Sequence, residues 1–134
     1  MNMKLSGTGV LSGKRLLITG GTGSFGRAFV TYVLSNLDFE RIVVFSRDEL
    51  KQLEMSREIP DARVEYVIGD VRDPRRLQQA MKGVDCVVHA AALKQVPAGE
   101  RNPGEHVKTN VFGAMNLIDA AVRAGVERVI ALST

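Results

Sequence analysis

Five short apolar runs recur along the 134 residues: RLLIT (15–19), RIVVF (41–45), VEYVI (64–68), CVVHA (86–90) and RVIAL (128–132). Four are nearly continuous in Val, Ile and Leu, as strands covered on both faces are. Glu65 interrupts VEYVI, which suits a sheet edge. Each gap between runs carries helical signals. Phe25, Phe29, Val33 and Leu37 stand at helical spacing and predict a helix over 24–36. Ser46 and Glu49 have capping-box spacing ahead of a helix over 48–58. Asp73-Pro74 reads as a cap followed by proline at the first helical position, with Gly83 closing that helix. Asn102-Pro103 opens the longest helix and Gly125 closes it. On that helix Val107, Val111, Ala114, Ile118 and Ala121 recur at three- and four-residue steps, and Phe112, Met115 and Val122 widen the apolar surface. Strands alternating with helices dictate a parallel sheet with right-handed crossovers. The expected fold is α/β, a Rossmann-type doubly wound sheet of five strands in the order 3-2-1-4-5, with helices on both faces.

Composition narrows the class. The chain is 45% hydrophobic and 25% charged, ordinary for a soluble globular domain. No apolar run nears the roughly 20 residues that span a bilayer, and the opening MNMKLSGTGVLSGK lacks the apolar core of a signal peptide. The single cysteine, Cys86, excludes an intramolecular disulfide and sits in an apolar run as a small hydrophobe. A cytoplasmic protein is the default expectation. The formal charge of +3 permits an anionic ligand, but 5% aromatic residues are thin for base stacking, so neither nucleic acid nor membrane is expected as a partner. No Cys/His cluster has zinc spacing, and no metal is expected.

The chemistry starts at TGGTGSFG (19–26), which follows the first strand and opens a helix. Gly20, Gly23 and Gly26 in that context form a dinucleotide loop. Glycines let the backbone approach a pyrophosphate, and the helix N-terminus offers free N–H groups and a positive dipole end. Thr22, Gly23, Ser24 and Phe25 are the expected cradle. The earlier GTG (7–9) has no strand before it and belongs to a leader over 1–13, which leaves 14–134 as one dinucleotide-binding domain. The end of the second strand selects the dinucleotide. A carboxylate there suits the ribose of NAD, whereas arginine favours the 2′-phosphate of NADP. Here Ser46 and Arg47 come first, Asp48 follows, and Lys51 stands one turn beyond Arg47. NADP is therefore the expected cofactor. Asp70, just after the third strand and beside Val71, is placed to accept from the adenine amino group. His89, inside a strand run, reads as a core histidine rather than a catalytic one, and His106 belongs to no motif. The long irregular stretch over 93–101 is of the kind that carries function.

These residues carry a resemblance. The TGGTGSFG start, HAAA after the fourth strand (89–92) and TNVFGAMNLIDAA (109–121) resemble the extended short-chain dehydrogenase/reductase superfamily. More narrowly, SRDELKQLEM, AALKQVPAGERNP and VIALST resemble the inverting UDP-N-acetylglucosamine 4,6-dehydratases of surface-polysaccharide and glycan biosynthesis. The resemblance runs from about residue 13 to 134. It implies a lyase cycle on a nucleotide sugar: hydride from C4, water loss across C5 and C6, and hydride return to C6. It implies that Ala90, Ala91 and Ala92 line the ribose and nicotinamide, that Lys94 is an active-site lysine near cofactor and sugar, that Asn110 braces the site, and that Thr134 is the catalytic threonine.

In that family the Ser-Thr ending the fifth strand leads to an Asp-Lys pair and then to a Tyr-x-x-x-Lys helix. Ser133 and Thr134 close this sequence. Tyr32 is followed four residues on by Asn36, and Tyr66 by Asp70. The resemblance thus implies a cofactor-binding portion, truncated after the fifth strand, that binds NADP without turnover. UDP-N-acetylglucosamine is the implied substrate of an intact enzyme, and a homo-oligomer the expected assembly. Two rival functions stand beside this one: a non-catalytic dinucleotide-binding module, and another activity of the superfamily, such as nucleotide-sugar epimerisation.

Overall fold

A computed structural model describes residues 11–90 and 103–132, with the side chains of 11–90 and 111–132. The strands are β1 (Arg15–Thr19), β2 (Arg41–Ser46), β3 (Val64–Ile68), β4 (Cys86–His89) and β5 (Arg128–Ala131). The helices among the described residues are α1 (Ser24–Asn36), α2 (Glu49–Glu58), α3 (Pro74–Ala80) and α4 (Pro103–Ala124). All five strands are parallel, in the order β3-β2-β1-β4-β5, as the alternation of runs predicts.

Alternation along each strand feeds two separate cores. Leu16, Ile18, Ile42, Val44 and Val88 point to one face, where Val30 and Val33 of α1 and Met55 of α2 cover them. Leu17, Val43, Phe45 and Val87 point to the other, under Leu77 of α3 and Leu117, Ala120 and Ala121 of α4. Both faces are apolar, and each fully buried Leu or Ile contributes about 1.5–3 kcal/mol. The central strand β1 has Leu16, Leu17 and Ile18 all at 2% exposure or less, whereas every residue of the edge strand β5 is exposed. The other edge, β3, has no fully buried residue: Val64, Tyr66 and Val67 are half-buried, and Glu65 and Ile68 are exposed.

Helix faces differ from the sequence expectation in two places. In α1 the buried residues are Gly26, Val30 and Val33, whereas Phe25 is 43% exposed and stacks on Phe29 at 5.7 Å. The face slips by one residue because Gly26 packs directly on the backbone of Gly21. In α4, Leu117, Ala120 and Ala121 pack with the sheet and Gly113 is buried against Val71, while Val111 and Ile118 of the expected stripe stay exposed. Leu117 is the larger anchor that small neighbours allow to sink.

Capping is also corrected at α2. Ser46 is the last residue of β2, so no Ser46–Glu49 box forms; Asp48 is the N-cap and accepts from the Lys51 N–H at 3.0 Å. At α3 the expected cap holds: Asp73 accepts from the Arg76 N–H, with Pro74 at the helix start. Gly83 (φ 75°) and Gly125 (φ 73°) follow the ends of α3 and α4.

Candidate dinucleotide site at the carboxyl edge

The chain leaves β1 through Gly20, whose φ of 68° is a left-handed conformation that disfavours any side chain. The Gly20 N–H donates to the Phe45 carbonyl of β2 at 2.9 Å. Similar bonds tie the neighbouring strand ends: Gly69 N–H to Ser46 O, Ala90 N–H to Thr19 O, and Leu132 N–H to His89 O. The carboxyl ends of all five strands therefore form one continuous rim. Strand order reverses between β1 and β4, and ligands of doubly wound sheets bind in the crevice at that reversal.

The glycine loop fits a pyrophosphate. Thr22 is buried, and its carbonyl accepts from Arg27 Nε at 3.1 Å, which fixes the loop from below. Gly23 is the N-cap of α1 and lends it no side-chain bond. A Cβ added at Gly23 would meet nothing within 4 Å, so the space before the helix is open. Ser24, Phe25 and Gly26 form the first turn, whose N–H groups lack intrahelical partners. At Gly26 an added Cβ would strike the Gly21 carbonyl, so only glycine brings the helix start this close to the strand.

The end of β2 gathers the charges. Ser46 is buried, and its hydroxyl accepts from Gln52 Nε2 at 2.9 Å; the same amide donates to the Val67 carbonyl of β3 at 2.9 Å. Arg47 is half exposed, with Nη1 3.8 Å from Asp70 Oδ2. The Asp48 carboxylate serves as a cap, and Lys51 sits in the first turn of α2. Asp70 accepts from the Arg72 N–H at 2.9 Å and from Arg72 Nη2 at 2.7 Å. That hydrogen bonding holds the Asp70 carboxyl below its ordinary range, and the Arg47 charge acts in the same direction. Val71 is pinned by α4: Asn116 Nδ2 donates to its carbonyl at 3.1 Å, and its Cγ2 lies 2.8 Å from where a Gly113 Cβ would stand.

Under the rim, Thr19 Oγ1 and His89 Nδ1 share a hydrogen bond of 2.7 Å. His89 is 3% exposed, and burial pushes its pKa down, which favours the neutral ring of a core histidine. Cys86 is half-buried, and burial pushes its thiol up, away from a reactive thiolate. Asp119 pairs with Arg123 on the outside of α4.

The fold thus brings together the glycine loop, Ser46–Lys51, Asp70–Val71 and Ala90, which is buried at the end of β4. Ala91, Ala92, Lys94, Asn102 and Thr134 lie outside the described residues, as do the side chains of His106, Val107 and Asn110. Gln52 and Arg72 are the residues that sequence reasoning missed. Asp-x-Arg in GDVRD was the available signal for Arg72, since Asp readily bonds the backbone two residues on. Gln52 left only the trace of a polar residue on an inward helix position.

Comparison with known proteins agrees with this geometry. The pattern of the polysaccharide biosynthesis protein family matches residues 16–134. This chain belongs to that family. It is 53% identical over 125 residues to the UDP-N-acetylglucosamine 4,6-dehydratase (inverting) of Campylobacter jejuni serotype O:23/36, covering 93% of this chain and 37% of that protein. It is 50% identical over 124 residues to the UDP-glucose 4-epimerase of Rickettsia bellii, covering 90% and 36%. Among solved structures, the dTDP-glucose 4,6-dehydratase DesIV of Streptomyces venezuelae, with NAD and TYD bound, superposes with a TM-score of 0.77 at 33% identity, covering 86% of this chain and 38% of that one. The chain spans just over a third of the length of the curated relatives it matches. Among the described residues, no helix is long and apolar enough to cross a membrane, and no three metal-ligating side chains cluster.

Proposed function

We propose that this chain is the NADP-binding portion of a nucleotide-sugar 4,6-dehydratase acting on UDP-N-acetylglucosamine. The observation that carries the reading is the 53% identity with a protein of that name along 93% of the chain. The nicotinamide, when bound, supplies the hydride acceptor and donor that such a dehydration needs.

The chain's own residues divide the remaining work. The first turn of α1, from Ser24 to Gly26, presents N–H groups to the pyrophosphate. Arg47 and Lys51 take the adenosine 2′-phosphate, and Asp48, committed to its cap, stays out of the ribose. Asp70 is the proposed acceptor for the adenine amino group; the N–H, Nε and Nη2 of Arg72 already contact both of its oxygens, so the adenine bond would share an oxygen with them. Ala90, Ala91 and Ala92 flank the ribose and nicotinamide. Lys94 and Thr134 are the proposed sugar-facing groups, by their match to AALKQVP and VIALST. The sequence holds no Tyr-x-x-x-Lys, so a polypeptide of these 134 residues is expected to bind without turnover. Mass spectrometry that detected a 4-keto-6-deoxy product from it would overturn that expectation.

A second reading is UDP-glucose 4-epimerase, favoured by the Rickettsia relatives at 48–50% identity. Product analysis of the longest available form of the protein separates the two: water is lost in one reaction and retained in the other. The cofactor is tested by calorimetric titration with NADP⁺ and NAD⁺. NADP⁺ should bind at least tenfold more tightly, on the order of one charge-assisted hydrogen bond, and Arg47→Ala should erase most of that margin. Equal or tighter binding of NAD⁺, the dinucleotide held in the DesIV structure, would sink the NADP assignment.

A further inference from the structure

Three charged side chains meet beside the proposed 2′-phosphate position. Arg47 follows β2, Asp70 follows β3, and Arg72 stands two residues further on. Alone, Arg47 and Asp70 would make a poor phosphate site. The carboxylate would compete for the guanidinium, and its charge would repel the incoming anion.

Arg72 alters that balance. Its N–H donates to Asp70 Oδ1 at 2.9 Å, its Nη2 donates to Oδ2 at 2.7 Å, and its Nε reaches both oxygens at 3.2 and 3.1 Å. This is a two-pronged guanidinium–carboxylate contact reinforced by the backbone. Arg47, at 3.8 Å from the same carboxylate, is too far for a hydrogen bond. About half of the Arg47 side chain faces solvent, against a quarter of that of Asp70. The carboxylate is therefore claimed from one side, and Arg47 keeps its donors for something else. The Asp70–Arg72 contact is local, two residues apart, whereas Arg47 reaches the same carboxylate from the end of the neighbouring strand β2.

We propose that Arg72 is a specificity-determining positioning residue for the phosphorylated dinucleotide. It acts through Asp70, holding the carboxylate and cancelling its charge so that Arg47 meets the 2′-phosphate. The inference rests on the NADP reading and deepens it: selectivity comes from the Arg47–Asp70–Arg72 trio rather than from the end of β2 alone.

The test is titration of the protein with NADPH and NADH in three forms: parent, Arg72→Met, and Arg72→Met with Asp70→Asn. Melting curves confirm that each form is folded. Arg72→Met should weaken NADPH binding about tenfold and leave NADH within about twofold. The double variant should recover most of the NADPH affinity, because an amide neither captures Arg47 nor repels phosphate and its Oδ1 still accepts from the adenine amino group. Arg72→Lys keeps a cation without the fork and should fall between; it serves if the methionine variant does not fold. Equal losses for both dinucleotides, no loss for either, or no recovery in the double variant would each overturn the role of Arg72. The parent titration alone judges the cofactor reading, because a parent that prefers NADH rejects NADP whatever the variants do.

Discussion

His89 is a residue whose neighbourhood decides its chemistry. Its imidazole is buried, with Nδ1 on Thr19 Oγ1 of β1. Burial disfavours the charged ring, so its pKa in the folded chain lies below the ordinary value of about 6.5. The unfolded chain then binds the proton more readily. Stability is unaffected above about 6.5 and is lost as pH falls from there towards the lowered folded value. Urea unfolding from pH 7.5 to 5.5 should show a decline of at most about 1.4 kcal/mol per pH unit from this group. His89→Asn, which can still bond Thr19, should flatten it; an unchanged slope would show that His89 titrates normally. At this scale the sequence was only partly legible. The run CVVHA made His89 a core residue. Nothing local revealed Thr19 as its partner, because the two meet only once β1 pairs with β4. Ser46 looked like a cap and proved to be a strand end, because hydrogen bonding to β3 carries β2 one residue further than its apolar run.

Elements were more legible, because period and punctuation are local. Strand runs and helix spans appear within a residue or two of their expected places, and only the buried faces of α1 and α4 shifted. Both shifts trace to glycine. Gly26 and Gly113 allow backbone-close contacts, with Gly21 and with Val71, that a hydrophobic stripe does not register. The last two glycines of the loop should therefore respond differently. Gly26→Ala drives a Cβ into fixed backbone and should cost about 3 kcal/mol, the upper end of ordinary overpacking, because no flexible side chain can yield. With a urea slope of about 1–3 kcal/mol/M, the unfolding midpoint should drop by 1 M or more. Gly23→Ala points into open space and should cost no more than about 1 kcal/mol as a poorer N-cap, while weakening dinucleotide binding. If Gly26→Ala unfolds at the parental midpoint, the tight strand–helix approach is not a structural requirement.

At the scale of the whole molecule, topology concentrates the residues proposed to face a cofactor on one rim and leaves apolar surface elsewhere. Val111, Met115, Ile118 and Val122 follow one another along α4 at steps of four, three and four, with exposures of 50, 57, 54 and 74%. Phe112 widens the stripe at 49%. Sheet packing does not use it, since Leu117, Ala120 and Ala121 already do that work on another face of the helix. A second apolar stripe beside a buried one is more than a solvent-facing helix needs. Two copies of this 134-residue chain related by a two-fold axis would lay stripe on stripe, the closed arrangement that hides the surface in both partners. Sedimentation at tens of micromolar, roughly where such surfaces associate, should show a dimer or larger species. Met115→Glu with Ile118→Lys should shift it to monomer with an unfolding midpoint close to the parental one, because neither side chain contributes to the core. A parent that sediments as a monomer would refute pairing through α4. A variant that stays dimeric would move the contact to the exposed edge strand β5, where Val129 and Ile130 are 40 and 54% exposed.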